Sequence, residues 1–125
     1  MDIKELQTKM IEFRDARDWG KYHNPKDLAI SLSLEAAELL EIFQWKDATE
    51  VQMLKQDTES VRRIKEELGD IFIYAFTLAH EFGLDPSEIV LEKIRLNEKK
   101  YPVDKAKGKA DKYSAYDNTY QDDID

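Results

Sequence analysis

Between Asp27 and Trp45 the chain sets Leu28, Ile30, Leu32, Leu34, Leu39, Leu40, Ile42 and Phe43, with three alanines, around nearly the whole circumference of a predicted helix. A helix that is apolar all round has to be covered on all sides. Yet Glu35 and Glu38 stand inside this run at i, i+3, stacked with Ser31 on one strip, while Glu41 drifts off it. Carboxylates enclosed in apolar surroundings need a cation, a proton or an exit to water. The fold therefore has to cover this helix and at the same time satisfy its acids.

The rest of the sequence reads as helix too. It has four glycines and three prolines, and no strand-length stretch in which apolar and polar residues alternate. Ile3, Leu6, Met10 and Phe13 predict a first helix over residues 2–17, and residues 18–26 form a loop dense in aromatics. A second helix runs from about Asp27 to Trp45, with Pro25 at its entry. Thr49 to Gln56 predicts a short helical turn with a Thr49/Gln52 capping box. A third helix opens at Asp57 or Thr58 and reaches Phe82, with Gly83 as its C-terminal cap. Asp85-Pro86 opens a fourth, which Pro102 stops near Tyr101. The expected architecture is all-α: a helical domain over residues 1–101 and an irregular tail over 102–125. A four-helix bundle-like subunit of 125 residues has a small core. An all-apolar second helix then points to a homo-oligomer.

Composition excludes several classes. The chain has no cysteine, so disulfides, thiolate zinc sites and cysteine nucleophiles are out. No apolar run reaches membrane-spanning length, and Met1-Asp2-Ile3-Lys4-Glu5 does not open a signal peptide, so a cytoplasmic protein without a membrane partner is expected. A net charge of −8, from 27 acidic and 19 basic residues, argues against a nucleic-acid partner. It leaves room for a polyanionic small molecule held through metal ions.

On the third helix Arg63, Glu67, Asp70 and Tyr74 share a strip, with Glu66 off it. A connection of about a dozen residues lets the second and third helices pack antiparallel. The two acidic strips then face each other and can enclose a hard divalent cation such as magnesium. The plain alternative is a solvated acidic face. The apolar context of both pairs, Ile71-Phe72-Ile73 following the second, favours the metal site. Redox di-iron bundles need Glu-x-x-His repeats, and none occurs here. A glycine-rich phosphate loop is also missing, and His23 and His80 have no evident serine partner for a nucleophilic triad. Trp19, Tyr22, Trp45 and Tyr74 adjoin the acidic strips and suit a flat ring stacked between side chains, and His23 sits beside Trp19 and Tyr22 in the loop, where it suits a ligand contact better than a metal; Trp45 serves equally well as a plug at the base of the bundle. Lys93, Asn97 and Tyr101 follow i, i+4 spacing on the fourth helix with Lys100 adjacent, as an exposed polar face also would.

Several motifs in order resemble a known family. Glu35-x-x-Glu38 followed by Glu67-x-x-Asp70 resembles the signature of the all-α nucleoside triphosphate pyrophosphohydrolases, the MazG-like superfamily. Arg17-Asp18-Trp19, Tyr22-His23-x-Pro25, Glu35-Ala36-Ala37-Glu38 through Phe43-Gln44-Trp45, Glu67-Leu68-Gly69-Asp70 and Lys93-x-x-x-Asn97-x-x-Lys100-Tyr101-Pro102 resemble its dCTP pyrophosphatase branch, over roughly residues 3–113. Leu34 stands where many members carry another glutamate. The resemblance implies magnesium held by Glu35, Glu38, Glu67 and Asp70, with Glu38 and Glu35 catalytic. It implies cleavage of a (deoxy)nucleoside triphosphate, dCTP or a related pyrimidine nucleotide, to the monophosphate and pyrophosphate. It further implies that Trp19, His23, Trp45 and Tyr74 contact base and sugar. Phosphates would fall to Lys93, Asn97 and Lys100, with Lys107, Lys109 or Lys112 of the tail, in a dimer or tetramer. The competing readings are a non-catalytic metal–nucleotide binder and a helical interaction protein on the same bundle.

Overall fold

The computed structural model describes residues 1–108; Lys109, Lys112 and the rest of the expected tail from 109 to 125 lie outside them. The chain divides into two compact units, Met1–Pro86 and the residues from Ser87 onward. Among the described residues there are helices and no strands.

In the first unit α1 spans Ile3–Ala16, α2 Pro25–Phe43, α3 Ala48–Met53 and α4 Thr58–Glu81, with 3-10 turns at Gly20–Tyr22 and Leu54–Gln56. Each helix starts where a short acceptor side chain meets a free backbone N–H. Asp2 accepts from Glu5 N at 2.7 Å, Asn24 from Asp27 N at 2.9 Å, and Asp57 from Ser60 N at 3.2 Å. Because Asn24 supplies the cap and Pro25 takes the first turn, α2 begins two residues before the expected Asp27. It also ends earlier: Lys46 N donates to Phe43 O at 3.0 Å, and Trp45 lies beyond the helix. The capping box of α3 is Asp47 with Glu50 rather than Thr49 with Gln52. A carboxylate two residues earlier outcompetes a hydroxyl at the positive end of the helix. Gly83, at φ 63°, terminates α4, and Leu84 N closes the reversal on Ala79 O at 2.9 Å.

The most extensive packing in this unit is between α2 and α4. Phe43 at the end of α2 shares an apolar cavity of about 300 Å³ with Val61 and Ile64 near the start of α4, so the two helices run antiparallel. α1 lies alongside α4 and parallel to it. Gln7 donates to the carbonyl of Phe76 at 3.0 Å, and seven residues on Arg14 meets Glu81 at 2.7 Å.

Among the described residues the buried apolar side chains are Leu28, Ile42, Leu54 and Ala79, and Leu28 is 1% exposed. The other side of α2 is open: Leu34 is 59% and Leu40 55% exposed. The helix expected to be covered all round is thus covered by its own chain on one side.

From Ser87 on, the second unit holds most of α5, Pro86–Lys100, and then α6, Val103–Ala106. Lys99 and Lys100 sit in the last turn of α5, where cations meet the negative helix end. The short α6 corrects the expectation of an irregular chain after Tyr101. Pro102 stops α5, but its carbonyl also accepts from Lys105 N and Ala106 N, at 3.0 and 2.8 Å, and so starts a new turn.

Since Leu28 is the most completely buried large side chain, Leu28→Ala should destabilise the fold by about 2–5 kcal/mol. A fall in the urea midpoint with little change in slope would show it; an unmoved midpoint would place the core elsewhere.

Candidate metal centre

At mid-length α2 and α4 bring three of the acids together. Glu35, Glu38 and Glu67 each offer one carboxylate oxygen, and these oxygens all lie within 4.8 Å of one another. The i, i+3 step places Glu35 and Glu38 on one strip of α2, and the antiparallel packing carries that strip opposite Glu67. Glu35 and Glu67 are half-buried, whereas Glu38 is exposed and forms the open side of the cluster.

Three carboxylates this close cannot all carry charge cheaply. The pKa of Glu35 is pushed up to about 7, first by a hydrogen bond shared with Glu67, then by burial and by the charges of Glu38 and Asp70. Oε2 of Glu67 is buried and has no hydrogen-bond partner. An acceptor removed from water and left unpaired is costly, and Glu67 belongs to a set of hard oxygen donors. That donor set fits a magnesium-type cation, which takes carboxylate oxygens and keeps waters of its own.

Asp70 is not one of the convergent three. It is exposed, one turn beyond Glu67, and it acts on Glu35 through its charge. Aspartate is one methylene shorter than glutamate, so equal spacing on the helix does not give equal reach. Tyr74 follows one turn later and is half-buried.

The aromatic candidates divide between the ends of α2. Trp19 and His23 lie in the turn leading into it, and Trp45 lies past its far end, 86% exposed. Nineteen helical residues, Pro25–Phe43, span about 28 Å. Within one chain, then, Trp19 and Trp45 do not bracket the same ring. Trp19 packs edge-to-face on Phe13, with centroids 5.7 Å apart and planes at 73°. Nδ1 of His23 is buried and unpartnered; burial first, and then the charge of Arg14, holds this imidazole below its usual pKa. Lys93, Asn97 and Lys100 lie on α5 in the second unit, Lys107 follows α6, and His80 is exposed on α4.

Arg14 belongs to no sequence motif. Its side chain is 12% exposed, and its guanidinium donates to Glu81 at 2.7 Å and to Asp15 at 3.0 Å. Nothing in the periodicity of α1 singles it out, because its partner is 67 residues away.

The sequence profile of the MazG-like family matches residues 30–115. The dCTP pyrophosphatase 1 of Mus musculus is 36% identical over 112 residues, covering 90% of this chain and 66% of that protein. The Bos taurus protein of the same name is 37% identical over the same shares. The chain thus spans about two thirds of the length of the curated relatives it matches. A crystal structure of a pyrophosphatase from Archaeoglobus fulgidus superposes with a TM-score of 0.71 at 43% identity, covering 80% of this chain and 92% of that one. With the family signature running across most of its length and an all-α fold shared with that structure, the chain belongs to the MazG-like family.

Proposed function

We propose that this protein hydrolyses a (deoxy)nucleoside triphosphate, dCTP or a related pyrimidine nucleotide, to the monophosphate and pyrophosphate in a magnesium-dependent reaction. The observation that carries the reading is the convergence of Glu35, Glu38 and Glu67, the last of which keeps a buried Oε2 without a hydrogen-bond partner. The dCTP pyrophosphatase 1 relatives support the substrate class.

In this reading Glu35, Glu38 and Glu67 hold the metal, and Asp70 joins them from one turn further along α4. Magnesium, when bound, neutralises phosphate charge and aligns the triphosphate. In this reading the carboxylate of Glu38 takes a proton from the attacking water, and its exposure on the open side of the cluster supports that role. The water oxygen bonds to phosphorus as the α–β bridging P–O bond breaks, and pyrophosphate leaves with the electron pair. Glu35 and Glu67, more enclosed, keep Glu38 in place. Trp19, His23 and Tyr74 contact base and sugar, and Trp45 of the opposite end contributes from a second copy. Lys93, Asn97 and Lys100 hold phosphates.

The exposed Leu34, Leu40 and Trp45 support assembly as a homo-oligomer, a dimer or tetramer. Among the described residues no helix is long and apolar enough to cross a membrane, and a cytoplasmic setting goes with this reading.

Glu38→Gln should lower pyrophosphate release by about 10²–10⁴-fold and leave the helical circular dichroism intact. Retained release would remove Glu38 from its role. A panel of (d)NTPs with magnesium, scored for pyrophosphate against orthophosphate, checks the products; no release from any of them would leave only a binding protein.

The raised pKa of Glu35 also has a definite sign. The folded state keeps a proton that the unfolded chain, at the usual value of 4.5, has already lost. Its contribution is therefore full below pH 4.5 and is lost as pH rises through about 7. Without divalent cation the protein should melt at a lower temperature at pH 8 than at pH 6. Glu35→Gln should flatten that difference, and a thermal scan in chelator with an unchanged slope in the variant would refute it.

A further inference from the structure

We propose that Arg14 is a positioning residue: through its ion pair with Glu81 it locks the turn that presents Trp19 and His23 onto α4, the helix that also carries Glu67, Asp70 and Tyr74. The inference rests on the proposed role of Trp19 and His23 as substrate contacts.

Three separate features of the turn converge on Arg14. Its carbonyl accepts from Arg17 N at 3.2 Å and from Trp19 N at 3.1 Å, so it fixes the backbone where the chain leaves α1. Its guanidinium covers Gly20, passing 3.5 Å from where a β-carbon on that residue would stand. Its Nη1 donates to Glu81 at 2.7 Å, the last residue of α4. An acid at the C-terminal end of a helix opposes the helix dipole. Glu81 is therefore in an unfavourable place unless a cation meets it, and the nearly buried Arg14 does so. Between these anchors Asp18 turns the chain at φ 55°, a left-handed conformation that aspartate tolerates better than most residues.

The ring itself is held from the same helix. Phe13, the residue before Arg14, meets the Trp19 indole edge-to-face, and the Arg17 guanidinium stacks on Phe13 at 3.7 Å while its Nη1 donates to the Phe13 carbonyl at 3.0 Å. With α1 running parallel to α4, the Arg14–Glu81 pair is the charged tie that keeps this assembly in register with the acidic side of α4. A turn held in this way presents Trp19 without having to order it when a nucleotide arrives, which lowers the entropic cost of binding.

Arg14→Met keeps most of the side-chain bulk and removes the charge. It should raise KM for dCTP by about three- to tenfold while kcat stays within about twofold. Glu81→Gln should do the same, and Arg14→Lys should recover part of the loss. In a Trp19→Ala background, Arg14→Met should raise KM no further, since the residue it positions is gone. A second readout does not use catalysis. In Trp45→Phe, Trp19 is the remaining tryptophan, and adding Arg14→Met should increase acrylamide quenching of its fluorescence. If the unmodified protein releases no pyrophosphate from any nucleotide, the functional reading fails, and the quenching experiment still decides this one. Unchanged KM and unchanged quenching, or a KM effect that adds in full on Trp19→Ala, would overturn it. If Arg14→Met does not fold, Glu81→Gln, which leaves Arg14 its bond to Asp15, carries the same measurements.

Discussion

The structure depends on a repulsion that is kept rather than removed. α2 and α4 press three glutamates from two helices into a space where their oxygens lie within 4.8 Å, and they do so through the most extensive helix contact of the first unit. Leu28 and Ile42, buried on α2, flank the acids along the chain. Hydrophobic burial along the two helices holds the carboxylates closer than their charges prefer, and Glu35 responds by keeping its proton to about pH 7. Sites under this kind of electrostatic load are where perturbed acids and function coincide.

Much of this could be read in the sequence, because it is written in local patterns. Helical periodicity, Pro25, the Asp57 cap and the Gly83 stop locate the four main helices to within a turn. The i, i+3 acids inside apolar runs mark the site, since both the spacing and the context lie within one helix. What depended on competition between near neighbours was less legible. Asp47 displaced Thr49 as the cap of α3, and Pro102 opened a helical turn after closing one. Reach was less legible too: Asp70 shares the strip with Glu67, but its carboxylate is not among the three whose oxygens lie within 4.8 Å of one another.

Contacts between elements that no periodicity records could not be read at all. The Arg14–Glu81 pair joins residues 67 apart, whereas the places of Trp19 ahead of α2 and Trp45 at its far end already follow from the helix bounds that the sequence predicts. Membership in the MazG-like family and the shared all-α architecture agree with the local patterns, while the division of labour among residues is a matter of three-dimensional placement.

Trp45 has a consequence for how such a chain fares at low abundance. Its indole stands 86% in solvent, and Leu34 and Leu40 add aliphatic surface on the uncovered side of α2. Water excluded by such a surface is an indiscriminate force: it rewards contact with whatever apolar material is nearest. A chain in this form is adhesive until the surface is occupied, so dilution, slow synthesis or a polar substitution that spares the glutamates would each alter its solubility before touching its chemistry.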